Sequence, residues 1–312
     1  MRKIAALLCL SVLIVSACST PGTREQTDAT VQIYTTVYPL QYFTERLGGE
    51  YVDVSTIYPP GADAHTYEPT TKKMTEIAEA DAFFYFGEVL EPFADTVAQA
   101  LTDEHVQLVE FASHEELFEH ENEHQEVKHE EGHNGHAHGD HDPHIWLDPL
   151  RSMELASILK DELITLMPKH QQKIKENFAS LKEELLQLDE QLVETLQSKK
   201  QKTILVAHAG YGYWEERYGI EQLAVNGVNN SSGPSQIDLV HIMEEAREHQ
   251  LSYMVFEQNI SDSISSKIQK EMGVKATHIH NLSVLTEEDI KEDQDYFTLM
   301  RQNLEVLDLV TD

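Results

Sequence analysis

The feature that most constrains the fold is one long amphipathic segment in the middle of the chain, residues 169–198. Apolar residues recur there at steps of three and four: Ile174, Phe178, Leu181, Leu185, Leu188, Leu192 and Leu196. This period predicts a single helix with one apolar face. About 30 residues at ~1.5 Å each make roughly 45 Å, which is longer than one small domain needs. We therefore expect a helix that runs across two domains.

Strand-like and helical segments alternate on both sides of this helix. Three strands are predicted before it, at 31–34, 52–57 and 82–86, and three after it, at 203–207, 253–256 and 275–279. Such alternation is typical of parallel sheets covered by helices. The predicted fold class is α/β, with two lobes, each a parallel-type sheet flanked by helices, joined by one long rigid backbone helix. The predicted boundaries are 31–150 for the N-terminal lobe, 151–199 for the connecting helices and 200–312 for the C-terminal lobe.

The N-terminus has the pattern of an export signal. Two basic residues precede an apolar run, 4–15, that is too short to span a bilayer as a helix. The run ends in VSAC, which resembles the lipobox of bacterial lipoproteins, where cleavage leaves a lipidated cysteine. We therefore predict a signal peptide at 1–17, a lipid anchor at Cys18, a tether at 18–30 and an extracytoplasmic, membrane-attached protein. The alternative is an ordinary signal peptide with an incidental cysteine.

The charge and the cysteine content of the chain restrict its possible partners and covalent links. The chain has 55 acidic and 23 basic side chains and a formal charge of -32, which disfavours nucleic acid as a partner. Its other cysteine, Cys9, lies within the predicted signal, so the mature chain can form no internal disulfide. No phosphate-binding loop or nucleophile motif is present, and we predict that the protein is not an enzyme.

A tract rich in histidine and acidic residues, 113–143, interrupts the N-terminal lobe and is predicted to be flexible. Weak, exchangeable zinc contacts are expected from its histidines: His120, His124, His129, His133, His136, His138 and His141. The alternative is a dispensable solvated linker. The strings HENEH and HEEGH match a zinc-protease pattern, but neither has an apolar face to bury, so we reject a protease.

Three further histidines, His65, His144 and His208, stand in proline-rich loops or at a strand end. Open α/β sheets place ligand groups at such positions. Three imidazoles and a fourth oxygen donor would complete a tetrahedral zinc site. From the residues alone, however, a lone histidine is more often structural or incidental than a ligand, and sequence spacing does not prove that the three converge.

Three segments carry a family resemblance: PPGADAHTYEP (59–69), DPHIWLDP (142–149) and AHAGY (207–211). They resemble, in order, the metal-ligand motifs of the zinc and manganese solute-binding lipoproteins of ABC importers, and the resemblance extends over the mature chain. It implies two α/β lobes, a connecting helix that permits little hinge motion, and one transition-metal ion in the cleft between the lobes. It also implies a zinc ABC permease with its ATPase as partner, and a monomer.

The donor set favours zinc over manganese. Manganese members resemble a site with two histidines and two carboxylates, whereas this chain has His208 at the third position and Leu282 where the last Asp aligns. Some zinc members have Glu near that point, and this chain has Ser283. The fourth ligand is therefore open: water or Glu68, with His280 a weaker candidate. Glu257 ends a predicted strand near the cleft, but such a carboxylate is more often a cap or solvated.

The predicted function is an extracytoplasmic receptor that captures Zn2+ between its lobes and delivers it to the permease. One alternative is a surface zinc buffer or adhesin in which the cleft metal is structural. The other is a manganese receptor of the same family.

Overall fold

The computed structural model describes residues 30–88, 90–118, 142–228, 234–259 and 263–312. The predicted signal peptide, Cys18, all of the tether except Thr30, and the seven loop histidines lie outside the described residues. None of the helices in the described parts of the chain is both long and apolar enough to cross a membrane.

Two four-stranded parallel sheets form the centres of two lobes. The first contains β1 (Val31–Thr35), β2 (Val52–Thr56), β3 (Ala82–Tyr85) and β4 (Gln107–Glu110), in the order β2-β1-β3-β4. The second contains β5 (Thr203–His208), β6 (Glu221–Asn226), β7 (Tyr253–Glu257) and β8 (Lys275–Ile279), in the order β6-β5-β7-β8. The predicted fold class is confirmed.

Ten α-helices accompany the sheets in the described residues. They are α1 (Tyr38–Gly48), α2 (Thr71–Ala78), α3 (Ala94–Leu101), α4 (Pro149–Leu166), α5 (Gln171–Gln197), α6 (Gly212–Tyr218), α7 (Gln236–Glu248), α8 (Ser263–Met272), α9 (Glu287–Lys291) and α10 (Tyr296–Val310). Local signals set several of their starts. Asp148 caps α4 by accepting from the Leu150 N–H, and Asp295 caps α10 by accepting from the Thr298 N–H.

The long predicted helix is α5, and its apolar face is buried as expected. Six of the seven predicted core positions are buried, and Phe178 is half-buried under the Lys160 ammonium group. The helix packs against α1 and α4, which precede it in the chain, and against α6 and α10, which follow it, so it contacts both lobes. Its face belongs to one apolar core that continues through both lobes, and a second, smaller core lies under α7 and α8.

The structure adds elements that the pattern did not predict. Two strands that were not predicted, β4 and β6, lie at sheet edges, and their apolar stretches are only two and three residues long. Two short helices, α6 and α9, were also missed. The predicted flexible tract 113–143 was too wide, because Leu117 and Phe118 are buried and a carbonyl of this segment accepts from Arg151.

Candidate metal centre

His65 lies in the loop that follows β2, and several hydrogen bonds shape this loop. The Asp63 carboxylate accepts from the His65 N–H at 3.0 Å, which closes a local turn before the histidine. Two bonds tie the loop to the C-terminal lobe: the Gly61 N–H donates to the Leu285 carbonyl at 2.9 Å, and the Asn259 amide donates to the Ala62 carbonyl at 2.9 Å. The backbone that carries His65 is therefore fixed by both lobes.

His144 is held by the residue two positions before it. The Asp142 carboxylate accepts from the His144 N–H at 3.0 Å and lies 2.8 Å from its Nδ1. The Asp142 carbonyl in turn accepts from the Tyr213 hydroxyl at 2.6 Å. Gly212 leaves room for this carboxylate, since a Cβ there would lie 2.8 Å from an Asp142 oxygen. The His144 ring is thus oriented by contacts of the Asp142 carboxylate with the His144 backbone N–H and with its Nδ1.

The segment after His144 is bonded to the C-terminal lobe through two indole groups. The Trp146 Nε1–H donates to the Asn281 carbonyl at 2.8 Å, and the Trp214 Nε1–H donates to the Leu147 carbonyl at 2.7 Å. Both indole rings are fully buried, and each finds the hydrogen-bond partner that a buried indole needs.

His208 is the last residue of β5, and both of its ring nitrogens have partners. Its Nδ1 lies 2.9 Å from a Glu257 carboxylate oxygen, and its Nε2 lies 2.7 Å from the Val228 carbonyl. Burial alone would lower the pKa of His208, but the hydrogen bond and charge of Glu257 raise it to about 9. The metal-free protein therefore holds this ring as an imidazolium at neutral pH.

The three histidines converge. One ligand atom from each of His65, His144 and His208 lies within 4.8 Å of the other two, and the ring centroids are 5.0–5.5 Å apart. Donors around a tetrahedral zinc with ~2.0 Å bonds are about 3.3 Å apart, so side-chain shifts of an ångström or so suffice. Burial, followed by the charges of the two neighbouring rings, lowers the pKa of His65 to about 3, so this ring is a neutral donor.

Neither protein group predicted as the fourth ligand joins this cluster in the described residues. Glu68 is exposed and lines a cavity of about 580 Å³ beside His65. His280 has its ring nitrogens occupied elsewhere: Nδ1 accepts from the Leu282 N–H at 2.9 Å, and Nε2 faces Asp289 at 3.0 Å. Water therefore stays as the predicted fourth ligand.

Two residues that sequence reasoning did not assign lie at the cluster. Glu257 contacts His208 directly, although as a single carboxylate at a strand end it has no distinguishing pattern. Gly210 allows the rings to approach, since a Cβ there would lie 3.3 Å from the His208 ring and 3.6 Å from the His144 ring. The sequence signal for Gly210 was its place within the third ligand motif, two residues after His208.

Comparisons with known proteins found relatives and solved structures that are similar to this chain. The zinc-binding lipoprotein AdcA of Streptococcus pneumoniae is 33% identical over the whole of this chain, which spans 62% of that protein. The high-affinity zinc uptake system protein ZnuA of Bacillus subtilis is 27% identical, over 95% of this chain and 93% of that one. The Zn(II)-bound ZnuA-like domain of pneumococcal AdcA superposes with a TM-score of 0.72 at 28% identity, covering 91% of this chain and 100% of that domain.

The curated streptococcal relatives are thus longer than this chain, which corresponds to about three fifths of their length. Residues 33–309 match the profile of a family described as zinc-uptake complex component A, periplasmic. The chain belongs to this zinc-uptake family.

Proposed function

We propose that this chain is an extracytoplasmic zinc receptor that captures one Zn2+ with His65, His144 and His208 and delivers it to an ABC permease and its ATPase. The observation that carries the proposal is the convergence of three buried or half-buried imidazoles, contributed by both lobes. The zinc-bound relative and the family's role in zinc uptake support it. No bond is made or broken in this role, so we expect no catalysis.

The donor types support zinc as the cargo. Imidazole nitrogen suits zinc, whereas manganese prefers carboxylate and water oxygen. The two carboxylates at the cluster, Asp142 and Glu257, face the Nδ1 atoms of two histidines. Such carboxylates orient ligating imidazoles and offset the charge of the cation. We therefore expect a three-histidine site completed by water.

Attachment through Cys18 and a monomeric state remain part of the proposal. The relatives named lipoproteins support the anchor. The loop histidines would raise the zinc concentration beside the cleft through weak contacts, with little affinity each, because ordering a flexible chain around a metal costs conformational entropy.

The test is a competitive titration of the metal-stripped protein with zinc and with manganese. We expect one tight zinc equivalent, weakened more than about 100-fold in each of His65→Ala, His144→Ala and His208→Ala, since even outer-shell changes cost 10–100-fold. A matched control is His241→Ala, an exposed histidine on α7 that should leave affinity unchanged. Tighter binding of manganese than of zinc would make the chain a manganese receptor.

The loop is tested separately by replacing residues 119–140 with a short Gly-Ser linker. This deletion spares Leu117 and Phe118, which are buried. The tight zinc equivalent should be retained. If tight binding is lost with the loop and kept in the three cleft variants, the chain is a histidine-rich zinc buffer and the receptor proposal is wrong.

A further inference from the structure

Glu257 is buried against His208, one of the three proposed zinc ligands. It ends β7, the neighbour of β5 in the sheet, so strand pairing brings its carboxylate beside His208 at the end of β5. The Glu257 Oε1 lies 2.9 Å from the His208 Nδ1, and both side chains are only 2% exposed. An ionised carboxylate can only accept hydrogen bonds, so the Nδ1 must carry a proton. The nitrogen left for a metal is Nε2, which would exchange its present partner, the Val228 carbonyl at 2.7 Å, for the ion.

The second oxygen of Glu257 is also a hydrogen-bond acceptor, because the group that faces it is the NH₂ of Asn281. The Asn281 Oδ1 accepts from the Ser283 backbone N–H at 3.1 Å, and a backbone N–H can only donate. The amide orientation of Asn281 is therefore set, and its Nδ2 points at the Glu257 Oε2 at 3.2 Å. Two further donors, the Ser283 hydroxyl and the Gln258 amide, reach the same Asn281 oxygen at 2.8 and 3.0 Å.

We propose that Glu257, oriented by Asn281, is a positioning residue for zinc capture that keeps the His208 proton on Nδ1 and directs Nε2 to the metal. Only a group that accepts on both of its oxygens satisfies both neighbouring donors. This inference rests on the proposed function, because it assigns His208 as a zinc ligand.

The substitution Glu257→Gln tests this hydrogen-bond polarity at almost constant volume. When zinc occupies Nε2, the Nδ1–H of His208 needs an acceptor. If the introduced amide turns its oxygen to His208, its NH₂ meets the NH₂ of Asn281. If it turns its oxygen to Asn281, its NH₂ meets the Nδ1–H. Each orientation leaves one donor against another, so we expect zinc affinity to fall about 10–100-fold.

The second substitution, Asn281→Asp, should reverse this loss. It places an acceptor where the opposing donor stood, while its other oxygen still accepts from the Ser283 N–H. In the double variant Glu257→Gln/Asn281→Asp, the amide at position 257 can donate to position 281 and accept from the Nδ1–H of His208. A role of Glu257 in packing alone would predict no such rescue.

The experiment measures zinc affinity by chelator competition in the parent, the two single variants and the double variant. The matched control is Asp289→Asn, which changes the carboxylate partner of another buried histidine, His280, outside the metal cluster. Far-UV circular dichroism and thermal melting without zinc establish that each variant is folded.

We expect Glu257→Gln to bind zinc about 10–100-fold more weakly than the parent. The double variant should regain most of this affinity, and Asn281→Asp alone should not raise it. The control should bind like the parent. Zinc affinity equal to the parent's in Glu257→Gln would overturn the inference. So would an Asn281→Asp substitution that changes zinc affinity by the same factor in the parent and in Glu257→Gln. Tight binding that survives His208→Ala would instead overturn the proposed function, so the two failures are distinguishable.

Discussion

The side-chain carboxyl group of Glu91 has no exposed surface and lies close to the loop that carries His65. One of its oxygens accepts from the backbone N–H groups of Phe86 and Gly87 at 3.0 and 3.2 Å, and the other accepts from the Tyr58 hydroxyl at 3.3 Å. Burial raises the pKa of Glu91 to about 7 despite these hydrogen bonds, because the charged form loses its hydration.

This shift makes stability depend on pH with a definite sign. The folded protein holds the Glu91 proton more tightly than the unfolded chain, so stability is lost as pH rises from about 4.5 through about 7. A difference of roughly 2.5 pH units at ~1.36 kcal/mol each destabilises the folded state by about 3 kcal/mol at pH 8 and about 1 kcal/mol at pH 5. The cost disappears at lower pH, where both states are protonated.

Glu91→Gln removes the ionisation and keeps the contacts. The amide oxygen can accept from both backbone N–H groups, and the NH₂ can donate to the Tyr58 oxygen. We therefore expect the variant to exceed the parent in free energy of unfolding by about 3 kcal/mol at pH 8 and about 1 kcal/mol at pH 5. Urea unfolding of the zinc-free proteins at both pH values measures this difference. A variant less stable than the parent at both, or an advantage that does not change with pH, would refute the reasoning.

Three further predictions concern the metal centre and its support. Since the pKa of His208 is about 9 and that of His65 is about 3, zinc displaces a proton from His208 but not from His65. Zinc affinity should therefore rise about tenfold per pH unit between pH 7 and 8; competition titrations check this, and a flat profile would contradict it. Trp146→Phe leaves the Asn281 carbonyl without its indole donor and should lower the free energy of unfolding by about 1–3 kcal/mol in urea. Gly210→Ala adds a Cβ 3.3 Å from the His208 ring and should weaken zinc binding in the same titration, whereas parent-like affinity would mean that the rings can shift.

The sequence predicted the features that repeat. The period of α5 and the alternation of strands with helices identified the fold class, because each depends on a face that is buried over many residues. Strands β4 and β6 have apolar stretches of only two and three residues and gave little signal. The extent of the histidine-rich tract was overestimated because its composition hid two buried positions, Leu117 and Phe118.

At the centre, the three histidines were predicted from their motifs, whereas the groups that orient them depend on tertiary contacts. Glu257 reaches His208 because β7 lies next to β5, and no local pattern specifies that pairing partner. Asn281 acts through one side-chain amide whose orientation is set by a backbone N–H two residues later. Contacts of this kind become visible only once the chain is folded.

The three ligand motifs come from both lobes, so a zinc ion bound by all three histidines would cross-link the lobes. His65 follows a strand of the first sheet, His208 ends a strand of the second, and the His144 segment is bonded to the C-terminal lobe by two indole groups. Under the proposed function, zinc that binds only the assembled site stabilises it by RT ln(1 + [Zn]/Kd), about 4 kcal/mol at a thousandfold excess over Kd. Binding of zinc to the site and association of the two lobes are then thermodynamically coupled. Any surface that spans both lobes is therefore more rigid in the zinc-loaded receptor than in the empty one.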